Sequence, residues 1–358
     1  MKSELKKLTD SIQPLDAPAM KRAQERLNSL TKPLGSLGRL EQLAEWAAGV
    51  TRQVRPRFPE RVVFVFAADH GVAAEGVSAY PQAVTEQMVL NFLRGGAAIN
   101  VLARQAKAKV VVADFGVAAE MPAHPGLARR KIGLGTKNFL KEPAMTEGQA
   151  LAAILEGARL ADDNRRAGSS CFATGDMGIG NTTSASALVA ALARIPVLEA
   201  TGRGTGIDDQ TLERKIRVIE EALSLHDVGP DDPVSALAKV GGFEIAGLVG
   251  VILAGAAARV PVVIDGFISG AAALVASRIC PEAKNYLLAA HVSVERGHKH
   301  ILKDLGLRPL LDFDMRLGEG TGAALAFPIL EAACAVLDEM ATFQEAGVSE
   351  KTKEESPA

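Results

Sequence analysis

The run VVFVFAADHG at residues 62–71 decides the fold. Val62–Ala67 is apolar without alternation, and the run stops at Asp69-His70-Gly71. An unbroken Val/Phe/Ala stretch of this length suits a strand buried on both faces of a parallel sheet, where neither face needs polar residues. Val110–Ala113, Cys171–Ala173, Val260–Ile264 and Tyr286–Ala290 have the same character. Longer helical patterns separate them. Thr146 to Asn164 opens with a capping box, Thr146-x-x-Gln149, and stops before Gly168. Val84 to Arg104 is helical with an interruption at Gly95-Gly96, and Thr211 to Leu225 carries Leu212, Ile216, Ile219 and Leu223 on one face. Strands alternating with helices predict an α/β fold, Rossmann-like and doubly wound, with a mainly parallel sheet. The first fifty residues read as helices around a Pro/Gly loop, Ser29 to Leu40.

Composition narrows the classes of function. The chain has 358 residues, 48% hydrophobic and 23% charged, which is enough to bury a large core and is unlike a disordered chain. Lys+Arg 40 against Asp+Glu 42 leaves a net charge of −2, which offers no generic pull on nucleic acid. Aromatic residues make up 4%, too few for base-stacking platforms. No apolar run reaches the roughly 18 residues of a membrane span, and MKSELKKLTDSIQPLD at the start has no signal-peptide core. Cys171, Cys280 and Cys334 are odd in number and form no CxxC, which suits a reduced, cytoplasmic setting with buried thiols. Residues 349–358 are charged and expected to be disordered.

In open α/β sheets, ligands bind in the loops that follow the strand ends. After the strand at 171 comes Gly175-Asp-Met-Gly-Ile-Gly-Asn-Thr-Thr183, a glycine loop that feeds a helix N-terminus. Free amides and the helix dipole make such a loop an anion site, so phosphate binding is favoured over a plain strand-to-helix turn. Thr201-Gly-Arg-Gly-Thr-Gly206 is a second such loop. Neither is a dinucleotide fingerprint or a Walker A loop. Lys215, at the edge of the apolar stripe of the 211–225 helix, either snorkels to solvent or reaches a phosphate held by the loop before it. Glu319 in Leu317-Gly-Glu-Gly-Thr-Gly322 is either a carboxylate left accessible by its glycine neighbours or a helix N-cap. His70 is either a catalytic or metal residue or a strand-end side chain that holds loops together. His298 and His300, two apart on a helix, make a poor metal pair. Asp114-Phe115-Gly116 looks like a kinase motif without its companions and is read as coincidence.

TKPLGSLGRLE at 31–41, ADHGVAAEGVSAYPQAVTEQM at 68–88, GDMGIGNTTSASAL at 175–188, GRGTGIDD at 202–209, DGFISGAAAL at 265–274 and LGEGTGAALA at 317–326 follow in one order. Together they make the chain resemble the nicotinate-nucleotide:dimethylbenzimidazole phosphoribosyltransferase family, from about Thr31 to about Leu337. The resemblance implies transfer of phosphoribose from nicotinate mononucleotide to 5,6-dimethylbenzimidazole. The products are nicotinate and α-ribazole 5′-phosphate, for the nucleotide loop of cobalamin. It implies no metal, no cofactor and a homodimer. It also implies a large α/β domain at 61–329 and a small helical domain from both chain ends, 1–60 completed by 330–348. It makes Glu319 the general base. It gives Asp176, Gly178, Gly180, Asn181, Gly202, Arg203, Gly204 and Lys215 to the phosphate and ribose, and Tyr80, Gln87 and Met88 to the base. Asp176 departs from the family pattern, where Gly-Glu-Met-Gly is usual.

The chemistry agrees with that resemblance. Nicotinate leaves a mononucleotide as a neutral pyridine nitrogen, so it needs no general acid. The transition state resembles an oxocarbenium ion. One carboxylate suffices to take the proton of the attacking benzimidazole. The competing readings are an NAD-dependent dehydrogenase, disfavoured by the missing glycine fingerprint, and a non-catalytic nucleotide-binding module, which would not need Glu319.

Overall fold

The computed structural model describes residues 1–204 and 206–349. All eight residues of β1 (Arg61–Ala68) are buried. Such burial requires neighbouring strands at both edges and helices on both faces. The neighbours are β2 (Ala108–Gly116) and β4 (Cys171–Met177), followed outward by β3 (Leu127–Arg129) on one side and β5 (Val262–Ile264) and β6 (Leu287–Ala289) on the other. The order is β3-β2-β1-β4-β5-β6 and every pairing is parallel. From β1 the chain winds outward to β3, then returns to β4 on the opposite side. The order therefore reverses between β1 and β4, which is where doubly wound sheets open a crevice for ligands.

Three details differ from the sequence reading. β3 was not expected: its three residues carry no apolar run, and it pairs only with β2. β5 begins at Val262 rather than Val260, because Val260 N–H still donates to Gly255 O at the end of the preceding helix. β6 begins at Leu287 because Tyr286 closes a 3₁₀ turn, Pro281–Tyr286. The helices at 84–94 and 98–105 are separate, with Gly95 at φ +77° ending the first. The helix Glu147–Arg166 has its capping box at Thr146 and Gln149.

The register slips by one residue at the end of β1, where Ala67 faces Asp114 and Ala68 faces Gly116. Bulges of this kind often stand next to functional sites. Phe115 stacks on Phe66 with centroids 4.3 Å apart, and Asp114 pairs with Lys131 at 3.0 Å. Asp114-Phe115-Gly116 is thus core and loop anchor.

Two compact units divide the chain. The larger comprises Met1–Pro14 and Pro59–Phe327 and contains the sheet. This corrects the expected 1–60 boundary: the first residues belong to the α/β unit, where Tyr286 Oη–H donates to Gln13 O (2.7 Å) and Arg259 donates to Pro14 O (2.6 Å). Such anchors leave no periodic trace in sequence. The smaller unit takes Leu15–Phe58 and the residues from Pro328 onward. Within it Arg26 donates to the carbonyls of Leu337, Asp338 and Met340, which ties its two chain segments together. The expected tail at 349–358 lies, but for residue 349, outside the described residues. One helix, Thr321–Glu339, is long and apolar enough by composition to cross a membrane, a length the sequence reading did not register because small polar and charged residues punctuate it. Just over half of its most apolar window (56%) is buried within the protein, as in a core helix.

Candidate active site

The site is built at the carboxyl ends of β1, β4 and β5. β4 ends in Asp176-Met177, and Gly178-Ile-Gly180 turns the chain into the helix Asn181–Ala193. Gly180 sits at φ +96°, a conformation open to glycine. No side chain caps this helix, so its positive end faces a pocket lined by Asp176, Gly178, Asn181, Thr182, Gly204 and Gly318. Asn181 Nδ2 donates to Asp176 Oδ2 at 2.9 Å. Burial pushes the Asp176 carboxyl well above its ordinary range, and the nearby Asp265, Glu244 and Glu319 push the same way against the Asn181 bond.

Lys215 does not snorkel. Its helix, Asp209–Leu225, is N-capped by Asp208, and the lysine is fully buried. Nζ donates to Thr182 Oγ1 (2.8 Å) and more loosely to Gly202 O (3.4 Å). Burial lowers its pKa to about 8, against the raising effect of Glu295. A cation thus stands behind the first turn of the Asn181–Ala193 helix, where the dipole also favours an anion. Its hydrogen-bond partners do not include Asp176, whose carboxylate is held by Asn181.

Glu319 sits in the left-handed region at φ +63°, between Gly318 at +82° and Gly320 at +88°. A β-carbon on Gly175 of β4 would overlap the Glu319 carbonyl, so glycine at 175 lets the turn press onto the strand. For a non-glycine residue this backbone costs about 1–2 kcal/mol, and strain of that kind concentrates at functional sites. Glu319 does not cap the following helix. Asp265 does: its carboxylate accepts from Gly320 N (3.2 Å) and Ala323 N (3.0 Å). The Glu319 carboxylate, 5% exposed, turns instead to Ile99, whose N–H donates to Oε2 at 3.1 Å. Burial raises its pKa, Asp265 adds to the effect, and the Ile99 bond opposes it.

The histidines divide as their surroundings dictate. His70 is a strand-end anchor: Nε2 is 2.7 Å from Glu244 Oε1 and Nδ1 is 2.9 Å from Ser184 Oγ, all buried. Both rings of contact lie under the Gly178–Gly180 turn, since a β-carbon on Gly180 would come within 3.1 Å of His70 Cβ. His298 is buried and accepts from Ser293 N (2.8 Å), while His300 faces Glu199 at 3.5 Å. Among the described residues no group of three or more His, Cys, Asp or Glu side chains is arranged to hold a metal ion.

A model of the phosphoribosyltransferase family DBI_PRT matches residues 12–348. The chain belongs to this phosphoribosyltransferase family. It is 60% identical over 349 residues to the nicotinate-nucleotide–dimethylbenzimidazole phosphoribosyltransferase of Chloroflexus aggregans, covering 98% of this chain and 99% of that one. Identity to the enzyme of the same name from Geobacter sulfurreducens is 54%, over 95% and 96% of the two chains. The crystal structure of CobT from Thermus thermophilus superposes with a TM-score of 0.90 at 49% identity, covering 93% of this chain and 100% of that one.

Within this phosphoribosyltransferase, the residues singled out from sequence are not all in one place. Asp176, Gly178, Asn181 and Gly204 line the pocket, with Gly180 at the helix cap and Lys215 directly behind Thr182. Gly204 N–H is already taken by Glu295 (2.8 Å), so that amide is not free for phosphate. Arg203 is turned away, held by Asp209 and by Ile207 O (2.9 Å). Tyr80, 53% exposed, Gln87 and Met88 are not among the residues lining this pocket, and neither is Glu319, whose neighbour Gly318 is. Asp265, His291 and Glu295 were not assigned from sequence. All three fall within a few residues of a strand's carboxyl end, the signal that would have found them. Glu244 left a different one, a lone charge opening the apolar helix Phe243–Ala257.

Proposed function

We propose that this phosphoribosyltransferase moves the phosphoribosyl group of nicotinate mononucleotide onto 5,6-dimethylbenzimidazole, releasing nicotinate and α-ribazole 5′-phosphate for the nucleotide loop of cobalamin. The 5′-phosphate docks at the uncapped N-terminus of the Asn181–Ala193 helix, with Lys215 supplying the opposite charge through the Thr182 side of the turn. That anchor is remote from the reacting carbon, so its binding energy is available to hold C1′ in reach of the incoming base. Nicotinate departs with the electrons of the glycosidic bond, which discharge its ring nitrogen. One benzimidazole nitrogen bonds to C1′ while the proton on the other passes to Glu319. Asp176, held by Asn181 beside Gly318, meets the ribose. Tyr80, ahead of the helix Val84–Arg94, and Gln87 and Met88 within it receive the flat base.

The observation that carries this reading is the Glu319 carboxylate, buried, strained and raised in pKa, as a general base near neutral pH should be. The test is incubation of the full chain with nicotinate mononucleotide and dimethylbenzimidazole, with both products measured. Equal amounts of free nicotinate and α-ribazole phosphate are expected; nicotinate without the ribazole product would mark a hydrolase instead. A homodimer in a cytoplasmic setting is part of the proposal, checked by light scattering after gel filtration and by fractionation.

A further inference from the structure

Glu295 is a pocket-lining carboxylate that the transfer chemistry leaves without a role. It follows β6 and is 6% exposed. Oε1 accepts from Gly204 N–H at 2.8 Å, while Oε2 is buried without a hydrogen-bond partner. A β-carbon on Gly202 would overlap that oxygen, so the carboxylate lies flat against the glycine loop. Lys215 grips the same loop through the Gly202 carbonyl. A buried carboxylate oxygen without a donor is costly, and a fully buried ammonium is costlier still. Each offsets the other's cost when they share one loop.

We propose that Glu295 is a positioning residue, which fixes the Gly202–Gly204 loop and supplies the counter-charge that keeps the buried Lys215 an ammonium for the mononucleotide's phosphate. This rests on the reading of Lys215 as a phosphate ligand. A lysine buried without a counter-charge titrates several units below its ordinary value. Here burial lowers it to about 8, with Glu295 opposing the fall. The other groups around Lys215 do not supply that charge. The Asn181–Ala193 helix presents the Thr182 hydroxyl, and the loop presents a carbonyl. Glu199, on the Val197–Ala200 helix, faces His300. Arg203 is paired with Asp209 at the head of Lys215's own helix, and Asp176 is bonded to Asn181.

The test is kcat/KM for nicotinate mononucleotide in Glu295→Gln and Glu295→Asp from about pH 6 to about pH 9, the range in which such a lysine titrates. Glutamine still accepts from Gly204 but carries no charge. Its loss should grow with pH, becoming about tenfold greater at the alkaline end than at the acid end, as the alkaline limb moves down by about one unit. Aspartate keeps the charge, so its alkaline limb should stay in place while KM rises. A glutamine loss that is the same at every pH would reduce Glu295 to a loop fastener and overturn the proposal. Should glutamine prevent folding, as read by thermal melting, the aspartate variant decides: a displaced alkaline limb counts against the proposal and a fixed one supports it. Lys215→Ala separates the underlying reading. Wild-type kcat/KM in that variant removes Lys215 from phosphate binding, and the proposal with it. A large loss, onto which Glu295→Gln adds no further pH dependence, supports both.

Discussion

At Glu319 the backbone and the carboxyl group are both held in unfavourable states. The residue stands at φ +63°, and burial raises its pKa above the ordinary glutamate value. A folded-state pKa above the unfolded one means that stability is full below the unfolded value and is lost as pH rises through the folded value. As pH rises above the ordinary glutamate range this carboxyl therefore weakens the fold, a cost that points to chemistry rather than packing. A carboxylate capping a helix N-terminus is lowered in pKa by the helix dipole. Asp265 takes the cap instead, so the carboxyl is raised before any ligand arrives. Glu319→Gln keeps the shape and the bond from Ile99 but cannot take a proton. It should cut kcat by about 10²–10⁴-fold while leaving dimethylbenzimidazole binding in place. Steady-state kinetics beside a binding titration would check this, and a kcat within a few-fold of wild type would place the base elsewhere. The advantage in melting temperature of the same variant over wild type should be larger at neutral pH than below about pH 3.

At the scale of elements, function depends on close approaches between β4 and the turns around it. Gly175→Ala should push the 318–320 turn off the strand. The expected cost is about 1–3 kcal/mol from overpacking, with a loss of kcat larger than that loss of stability suggests, because Glu319 moves with the turn. Urea melts and kinetics on the one variant test it; activity unchanged in a destabilised protein would show that the turn adapts. Gly180→Val places a branched side chain at φ +96° over His70 and should raise KM for the mononucleotide strongly; an unchanged KM would move the phosphate away from this helix. The strands and glycine loops behind these predictions were legible because unbroken apolar runs and clustered glycines are local signals. The partners were not. Glu295 on Gly204, Asp265 on the 320–323 amides and Ile99 on Glu319 join residues 55 to 220 positions apart. No spacing rule reaches that far. β3 escaped for the opposite reason, being too short to show a pattern. Arg203 shows a third limit: the family resemblance gives it to the phosphate, and here it is paired with Asp209.

On the scale of the whole molecule, the sheet gathers acids that the rest of the fold must tolerate. Asp176, Asp265 and Glu319 converge at the strand ends around the β1–β4 switch point, and burial raises the pKa of each. The surface carboxylates behave oppositely: Asp208, Asp338 and Glu345 are lowered by capping bonds or arginines. The two sets act in different pH windows. Groups with lowered values lend stability that disappears as pH falls through their folded pKa, below the ordinary carboxylate range. Groups with raised values lend stability that is present in acid and lost as pH rises from about 4 through their folded pKa. Asp176 is the most useful probe, since it is buried and its amide analogue can still accept from Asn181. Asp176→Asn should differ from wild type by a fixed amount below about pH 3, where the acid is largely protonated in both folded and unfolded chains. The variant should then become progressively more stable than wild type as pH climbs, until the folded-state pKa is passed and the difference levels off. Thermal melts of both proteins across that range measure the difference directly. A constant offset at every pH would mean that Asp176 titrates alike in the folded and unfolded chains, with Lys215 or the helix N-terminus offsetting its burial.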